Sequence, residues 1–328
     1  MKDAGEKTGN LLDVVALGEL LIDFTQNGKT EQGNPLYEAN PGGAPCNVLS
    51  MLSRFGKRTA FIGKVGDDAF GRFLSDIVAA QGIMTNGICY DKETHTTLAL
   101  VAKLPNGDRD FSFYRKPGAD MNLLREEVDT ALIKSAKLFH FGSLSLTDEP
   151  VRSATKFAVQ TAQDAGLIIS FDPNLREPLW ETLDKAKEQI DWGLRQAHIL
   201  KISDNEITWF TGENDFDDGI CFLQENYPNL KLICLSMGPE GSRAYYKDFS
   251  VFANAFLQKE TIETTGAGDT FCACILNTVL DNGIDRLDEE IIMNMLVTAN
   301  AAASIVTTRK GALKIMPTYE EVINLISL

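Results

Sequence analysis

The chain has 328 residues, a formal net charge of −15 and 44% apolar residues, enough for one large α/β domain or two small ones around a sizeable core. The acidic balance argues against nucleic acid and anionic membranes as partners, because both need a basic face. It also means that a polyphosphate would have to be held locally, by amides, a few cations and a metal.

Met1 to Asn10 is polar and charged, which excludes a signal-peptide reading, and no apolar run reads as a membrane span. Val14 to Gly18 reads as a buried parallel strand, with Glu19 to Phe24 as its continuation and Asp23 near its end. An isolated acid there is usually the exposed end of a strand. Gln26 to Asn40, polar with Gly28, Gly33 and Pro35, is too irregular for the main core. Pro41-Gly42-Gly43 reads as a turn and Ala44 to Phe55 as a helix closed by Gly56. Asn47, one turn into that helix, would project toward the same turn and toward a ligand held there. Thr59 to Gly63 reads as a strand and Asp67 to Gln81 as a helix ended by Gly82. From Thr96 the period switches to two. Leu98 to Leu104 and Arg109 to Tyr114 flank Pro105-Asn106-Gly107-Asp108, a hairpin signal. A hairpin inserted among alternating strands and helices points to a separate small sheet. Arg115 at its end is either a ligand contact or a solvated strand end.

After this the alternation resumes. Leu138 to Phe141, Leu167 to Phe171, Ile199 to Ile202 and Leu232 to Leu235 are short apolar runs separated by helical patterns. They predict a parallel sheet with helices on both faces. Ligands of such folds bind beyond the carboxyl ends of the strands. Asp172-Pro173-Asn174-Leu175-Arg176, Lys201-Ile202-Ser203-Asp204-Asn205-Glu206 and Ser236-Met237-Gly238-Pro239-Glu240-Gly241 stand there. Each could equally start a turn or helix, with Asp172 only the cap of its turn. Short strands at Ser242 to Tyr246 and Val251 to Ala255 lead to Thr264-Thr265-Gly266-Ala267-Gly268-Asp269-Thr270-Phe271. Phe271, Ile275 and Val279 recur at helical spacing, so a helix should begin near Asp269. Its first amides, backed by the helix dipole, would form an anion hole in the glycine turn. Asp269 at the lip could take a proton from a hydroxyl lying against a phosphate, or could be an ordinary N-cap. A last long helix, Leu287 to Ile305, carries Asn300 in an Ala-rich stretch, and Arg309-Lys310-Gly311-Ala312 follows. No repeat, low-complexity segment or linker interrupts the chain, which reads as a single domain, 1–328. The six cysteines include no Cys-x-x-Cys and read as buried free thiols of a reducing cytoplasm. His95, His140 and His198 are scattered and make no metal-ligand pair.

Thr-x-Gly-Ala-Gly-Asp-x-Phe at 264–271 resembles the C-terminal signature of the ribokinase-like (PfkB) carbohydrate kinases. Asn40-Pro41-Gly42-Gly43-Ala44-Pro45-Cys46-Asn47 through Gly63-Lys64-Val65-Gly66-Asp67-Asp68-Ala69-Phe70-Gly71 resembles the N-terminal one. The resemblance runs from about Val14 to Pro317 and, within the family, is strongest to bacterial fructokinases. It implies a ribokinase-like, doubly wound, mostly parallel sheet with a small β-sheet lid from about 25–41 and 94–116. It also implies transfer of phosphate from ATP, with Mg2+, to the 6-hydroxyl of fructose. Asp269 would be the general base, and Gly266, Ala267 and Gly268 the anion hole. Asp23, Gly42, Gly43, Asn47, Arg115 and Arg176 would face the sugar, Arg176 with Asn174 toward the phosphate side. Asn174, Lys201, Ser236, Gly238, Gly241, Asn300 and Gly311 would face the nucleotide, with Asn300 beside the flat adenine. Glu206 would act on nucleotide and magnesium through water, in an Asn-x-x-Glu pattern whose Asn is Ser203 here. Glu263 and Thr265 would stand at a monovalent-cation site, where the family usually has Asp in place of Glu263, so that K+ dependence is open. An unpaired lid edge could pair two copies of the chain.

Other classes fit less well. An NAD-dependent oxidoreductase needs Gly-x-Gly-x-x-Gly after the first strand, but the pattern at 266 and 268 has Phe271 in third place and lies near the C-terminus. Gly28-Lys29-Thr30 mimics the tail of a P-loop, with Asp23 where the first glycine belongs. A non-catalytic sugar sensor would lack the base. Among kinases the alternatives are 2-keto-3-deoxygluconate, whose carboxylate Arg115 or Arg176 could pair, and a nucleoside.

Overall fold

In the run Val14–Leu17, Val14 and Ala16 enter one core cluster and Val15 and Leu17 the other, because alternate side chains leave a strand on opposite faces. The same split recurs at Leu232–Leu235, where Leu232 and Cys234 face one cluster and Ile233 and Leu235 the other. A sheet buried on both faces must be covered by helices on both. The computed structural model describes residues 12–103 and 109–327. Its strands are β1 (Val14–Leu17), β2 (Leu21–Lys29), β3 (Pro35–Gly42), β4 (Thr59–Gly66), β5 (Ile83–Asp91), β6 (Leu98–Lys103) and β7 (Arg109–Tyr114). They continue with β8 (Leu138–Gly142), β9 (Ile168–Asp172), β10 (Ile199–Ser203), β11 (Leu232–Ser236), β12 (Ser242–Tyr246) and β13 (Phe249–Ala253).

Nine of these form one sheet in the order β13-β12-β11-β10-β9-β8-β1-β4-β5. Every neighbouring pair from β11 through β5 is parallel, and β12 and β13 are added antiparallel. The chain winds outward from β1 first to β4 and β5, then to the other side through β8 to β11. That reversal opens a crevice beyond the carboxyl ends of β1 and its neighbours, where open α/β sheets bind ligands. Helices Ala44–Arg54, Ala267–Asn282 and Glu289–Thr307 cover one face, and Val151–Asp164, Leu183–Gln196 and Phe216–Asn226 the other.

The remaining strands make a second sheet, β3-β2-β6-β7. β2 pairs antiparallel with β3 and parallel with β6, which pairs antiparallel with β7. Phe24 of this sheet meets Phe70 edge-on, with ring centroids 5.6 Å apart, which ties the lid to helix Ala69–Ala80. The hairpin tip Pro105–Asp108 lies outside the described residues.

Several details differ from the sequence reading. The strand from Val14 does not run on through Phe24: it ends at Leu17, and Leu21 opens the lid strand. Gly18 makes the exit, since a Cβ there would lie 2.6 Å from Pro45 Cγ. The lid accordingly starts before residue 25, and the expected Pro41-Gly42-Gly43 turn is strand through Gly42, with Gly43 at φ 132° as the helix N-cap. Ile83–Asp91, which has no clear period in sequence, is the edge strand β5. Glu289–Thr307 is by length and composition apolar enough to cross a membrane; half of that window is buried in the core, where it packs beside helix Ala267–Asn282. The thiols are all unpaired, but Cys221 is exposed and Cys89 only half-buried.

Asp68 roots the lid. Its carboxylate accepts from Gly71 N at 2.8 Å, capping helix Ala69–Ala80, and from Thr96 N and Thr96 Oγ1, each at 2.8 Å, just before β6. Partial burial works against the charge, but these bonds win and hold the carboxyl below its ordinary value of 3.8. Asp68→Ala should destabilise the fold by about 1–2 kcal/mol at neutral pH. A depressed carboxyl contributes stability that is present above its unfolded value and lost as pH falls through the folded one. In urea titrations the gap between wild type and variant should therefore close in acid; a gap independent of pH would show that the charge plays no part.

Candidate active site

The site is built on the start of one helix. Gly266, at φ 82°, is the N-cap of helix Ala267–Asn282, so the helix begins at Ala267, near Asp269 as its apolar spacing predicts. The amide of Ala267 is turned back to Thr264 O at 3.2 Å, and the first i to i−4 bond is made by Thr270 N to Gly266 O at 2.9 Å. Gly268 N and Asp269 N lie between these two, in the turn where helix amides point outward and the dipole is positive. Cys272, Ala273, Ile275 and Leu276 just beyond are all buried, so the core fixes where those amides point.

Two cavities meet at this turn. One, of about 420 Å3, is lined by Glu19, Leu21, Asp23, Gly43, Ala44, Asn47, Phe113, Leu144, Asn174, Arg176, Lys201, Thr264, Thr265, Gly266, Gly268 and Asp269. The other, of about 450 Å3, is lined by Ser236, Gly238, Pro239, Gly241, residues 255–258, Thr261, Thr264, Ala267, Gly268, Phe271, Asn300, Ala303, Ser304 and Thr307. Thr264 and Gly268 belong to both walls. Asp269 faces only the first.

The first cavity is polar and anionic. Asp269 is 8% exposed, and its Oδ2 accepts from Asn47 Nδ2 at 2.8 Å. Burial raises the Asp269 pKa, while the Asn47 amide and the charges of Lys201 and Arg176 pull it back. Asp23, in register with Asn40 on β3, is pushed up to about 7 by burial, helped by the charge of Glu263 and opposed by Arg176. Gly42 lies behind it and leaves room for this carboxylate, since a Cβ there would stand 2.3 Å from Asp23 Oδ2 and push it aside. Gly43 leaves room for the backbone of Glu19, whose carbonyl oxygen a Cβ would approach to 2.4 Å. Lys201 is buried; burial disfavours its charge, but Asp172, Glu206 and Asp269 together push its pKa up and keep it an ammonium. The exposed Arg176 donates to Leu175 O at 3.2 Å.

The second cavity is lined by the apolar side chains of Phe256, Leu257 and Ala303 and by Gly238 and Gly241. Gly238 and Gly241 sit at φ 53° and 110°, conformations that favour glycine and bring backbone to the cavity surface. Asn300 fixes the wall by donating to Ala253 O at 3.1 Å and Asn254 O at 3.0 Å.

Several expected residues stand elsewhere. Asn174 and Lys201 line the first cavity, not the second. Arg115 stands behind the wall: its guanidinium donates to Asp120 Oδ2 at 2.7 Å, Thr147 Oγ1 at 3.0 Å and Leu144 O at 3.0 Å. It thereby holds Leu144, which is on the wall. Glu206 is off both walls. Its oxygens accept from Leu175 N at 2.7 Å, Ser203 N at 2.9 Å and Ser203 Oγ at 2.8 Å. Burial opposes its charge, but Lys201 and these donors hold its pKa below the ordinary value. Glu263 accepts from Thr265 Oγ1 at 2.7 Å and Gly311 N at 3.2 Å, and Gly311 is not on the wall of the second cavity. Among the described residues no group of three or more His, Cys, Asp or Glu could hold a metal.

Glu19 is the charged residue on the first cavity's wall that sequence reasoning missed. It is 4% exposed, accepts from Ala44 N at 2.7 Å, and is pushed up to about 7 by burial. The signal was there: an acid set between the apolar runs Val14–Leu17 and Leu20–Ile22.

The family model for pfkB family carbohydrate kinases matches residues 11–319. A probable fructokinase-2 from Arabidopsis thaliana is 42% identical over 320 residues, 96% of each chain. A fructokinase from Xylella fastidiosa, solved with bound ATP, superposes with a TM-score of 0.88 at 30% identity, covering 97% of this chain and 99% of the other. A doubly substituted fructokinase from Vibrio cholerae O395, solved with fructose, ADP and a potassium ion, gives 0.85 at 26% identity, covering 96% and 98%.

The Asn47–Asp269 contact makes a pH prediction. The Asn47 amide favours the ionised Asp269; removing it leaves burial less opposed and raises the pKa of the carboxyl. Asn47→Leu should therefore move the acid limb of the kcat profile to higher pH. An unmoved or downward-moved limb would mean that Asp269 does not control it.

Proposed function

The chain belongs to the pfkB family of carbohydrate kinases, and from that premise we propose that it transfers the γ-phosphoryl group of ATP to the 6-hydroxyl of D-fructose. The observation that carries this reading is the shared wall: Gly268 closes both cavities, and Asp269 faces the first alone. The sugar occupies the first cavity. Asp23 accepts from its vicinal hydroxyls, and the Asn47 amide contributes beside it. The adenine lies in the apolar cleft near Asn300, and the phosphates run past Ser236, Gly238 and Gly241 toward Gly268. Asp269 takes the proton of the primary hydroxyl as that oxygen attacks the γ-phosphorus. ADP leaves into the second cavity. The amides at Gly268 and Asp269 and the Lys201 ammonium stabilise the charge on the transferring oxygens. A primary hydroxyl is the least hindered one to bring in line.

Magnesium would supply charge neutralisation on the phosphates. With no preformed cage among the described residues, it would arrive with ATP, as Mg2+ commonly does. Glu206 is committed to hydrogen bonds of its own, so we assign it to the metal's water shell and not to the metal. Glu263 and Thr265 offer oxygen donors suited to a monovalent cation, and potassium sensitivity would be set there. Leu36 and Tyr37 on β3 and Tyr114 on β7 are exposed on the lid's outer strands, and two copies could pair along such an edge. Unpaired thiols throughout suit a reducing compartment such as the cytoplasm.

The competing sugar is 2-keto-3-deoxygluconate, whose carboxylate Arg176 could pair. With Arg115 held behind the wall, one arginine is left on the cavity for that task, which favours the uncharged fructose. At fixed MgATP, kcat/KM should be higher for fructose than for the keto acid; the reverse ratio would overturn the sugar and leave the kinase. Asp269→Asn keeps size but cannot accept the proton. It should lower turnover by about two to four orders of magnitude while sugar binding, read by calorimetry, weakens far less. Near-normal turnover would remove Asp269 as the base.

A further inference from the structure

Asp172 has no part in the scheme above, yet it is buried on the cavity side of the sheet. It ends β9, and the register Ile199↔Ser170, Leu200↔Phe171 puts Lys201 of β10 next to it. Neighbouring residues in register send their side chains to the same face, so the pairing is built into the sheet. Lys201 Nζ lies 3.3 Å from Asp172 Oδ1 and 3.2 Å from Oδ2, and the two side chains are 7% and 4% exposed. On its other side the ammonium fills the space in front of the glycine turn: a Cβ on Gly268 would stand 3.3 Å from Nζ. Asp172 Oδ1 also accepts from Asn174 N at 3.1 Å, and Asn174 is held at φ 42°.

A buried ion pair is a poor way to gain stability, because desolvation offsets most of the attraction. Its value here is positional. A lysine side chain is long and flexible, and three buried acids compete for this one: Asp172, Glu206 and Asp269 all act on its charge. An ammonium that swung onto Asp269 would neutralise the group that has to accept a proton. We propose that Asp172 is a positioning residue for phosphoryl transfer: its carboxylate clamps Lys201 against Gly268, where the ammonium faces the transferring phosphoryl group and is kept off the Asp269 carboxylate. The proposal rests on the phosphoryl-transfer reading, and not on which sugar is used.

The test is a double-mutant cycle with ATP and whichever of fructose or 2-keto-3-deoxygluconate the wild type turns over. Asp172→Asn keeps an acceptor for Asn174 N but loses the charge that holds Lys201. It should lower kcat roughly ten- to a hundredfold with the sugar KM changed less than about threefold. Lys201→Met should lose at least as much, and the double variant should match Lys201→Met within about twofold, because Asp172 acts only through Lys201. A merely structural Asp172 would instead give losses that multiply, or a KM that rises with kcat unmoved. Either result, or a D172N enzyme with wild-type kcat, overturns the proposal alone. A wild type without kinase turnover on either sugar overturns the phosphoryl-transfer reading and this one with it. If Asp172→Asn does not fold, Asp172→Ser, which also leaves an acceptor for Asn174 N, carries the same expectations.

Discussion

One helix start has to serve two ligands. The turn at Gly266–Asp269, with Thr264 before it, is the partition between a polar cavity and a partly apolar one, and a phosphoryl group passing from one to the other would pass at this wall. That places two demands on it. The partition must be thin, so it is backbone with glycine at Gly266 and Gly268. It must also be rigid, because misplaced donors lose most of their effect on a developing charge. Rigidity comes from the other end of the same element: its second and third turns are buried on nearly every side, and Thr270 locks the first turn through both its amide and its hydroxyl onto Gly266 O, at 2.9 and 2.7 Å. The apolar run after the motif is therefore part of the site.

The electrostatics follow from the same crowding. Glu19, Asp23 and Asp269 line a cavity whose described cations are Lys201 and Arg176. Burial raises the pKa of all three acids, which eases their mutual repulsion. A triphosphate entering such surroundings has to bring its own counter-ion or meet local donors, which suits a reaction run with a metal-bound nucleotide. The partition amides and one clamped lysine then stand where charge moves, and the surplus of acid stands where hydroxyls bind.

Legibility in the sequence tracked the range of the interaction. The glycine turn, Asp269 and the helix after it were readable because their signals lie within a few residues. The two-faced sheet was readable because short apolar runs repeat. The break after Leu17 was not, since Leu20, Leu21 and Ile22 continue the apolar run and only Pro45, far along the chain, shows why Gly18 must lack a side chain. Arg115 ends its strand as a ligand contact would, but its partners Asp120, Thr147 and Leu144 O are brought to it by the fold. Asp172 looked like a turn cap for the same reason: its Lys201 partner is supplied by strand register. Glu206 fits a capping box with Ser203 as well as it fits a metal-side role, and the structure shows the capping box formed.

In the proposed arrangement, sugar and nucleotide occupy the two cavities and meet at Gly268. A crystal structure with fructose and a non-hydrolysable MgATP analogue tests it most directly. The fructose 6-oxygen should lie within hydrogen-bond distance of Asp269, with the analogue's terminal phosphate at the Gly268 amide and in line with that oxygen. Fructose in the cleft beside Asn300, or a terminal phosphate turned away from Gly268, would contradict it.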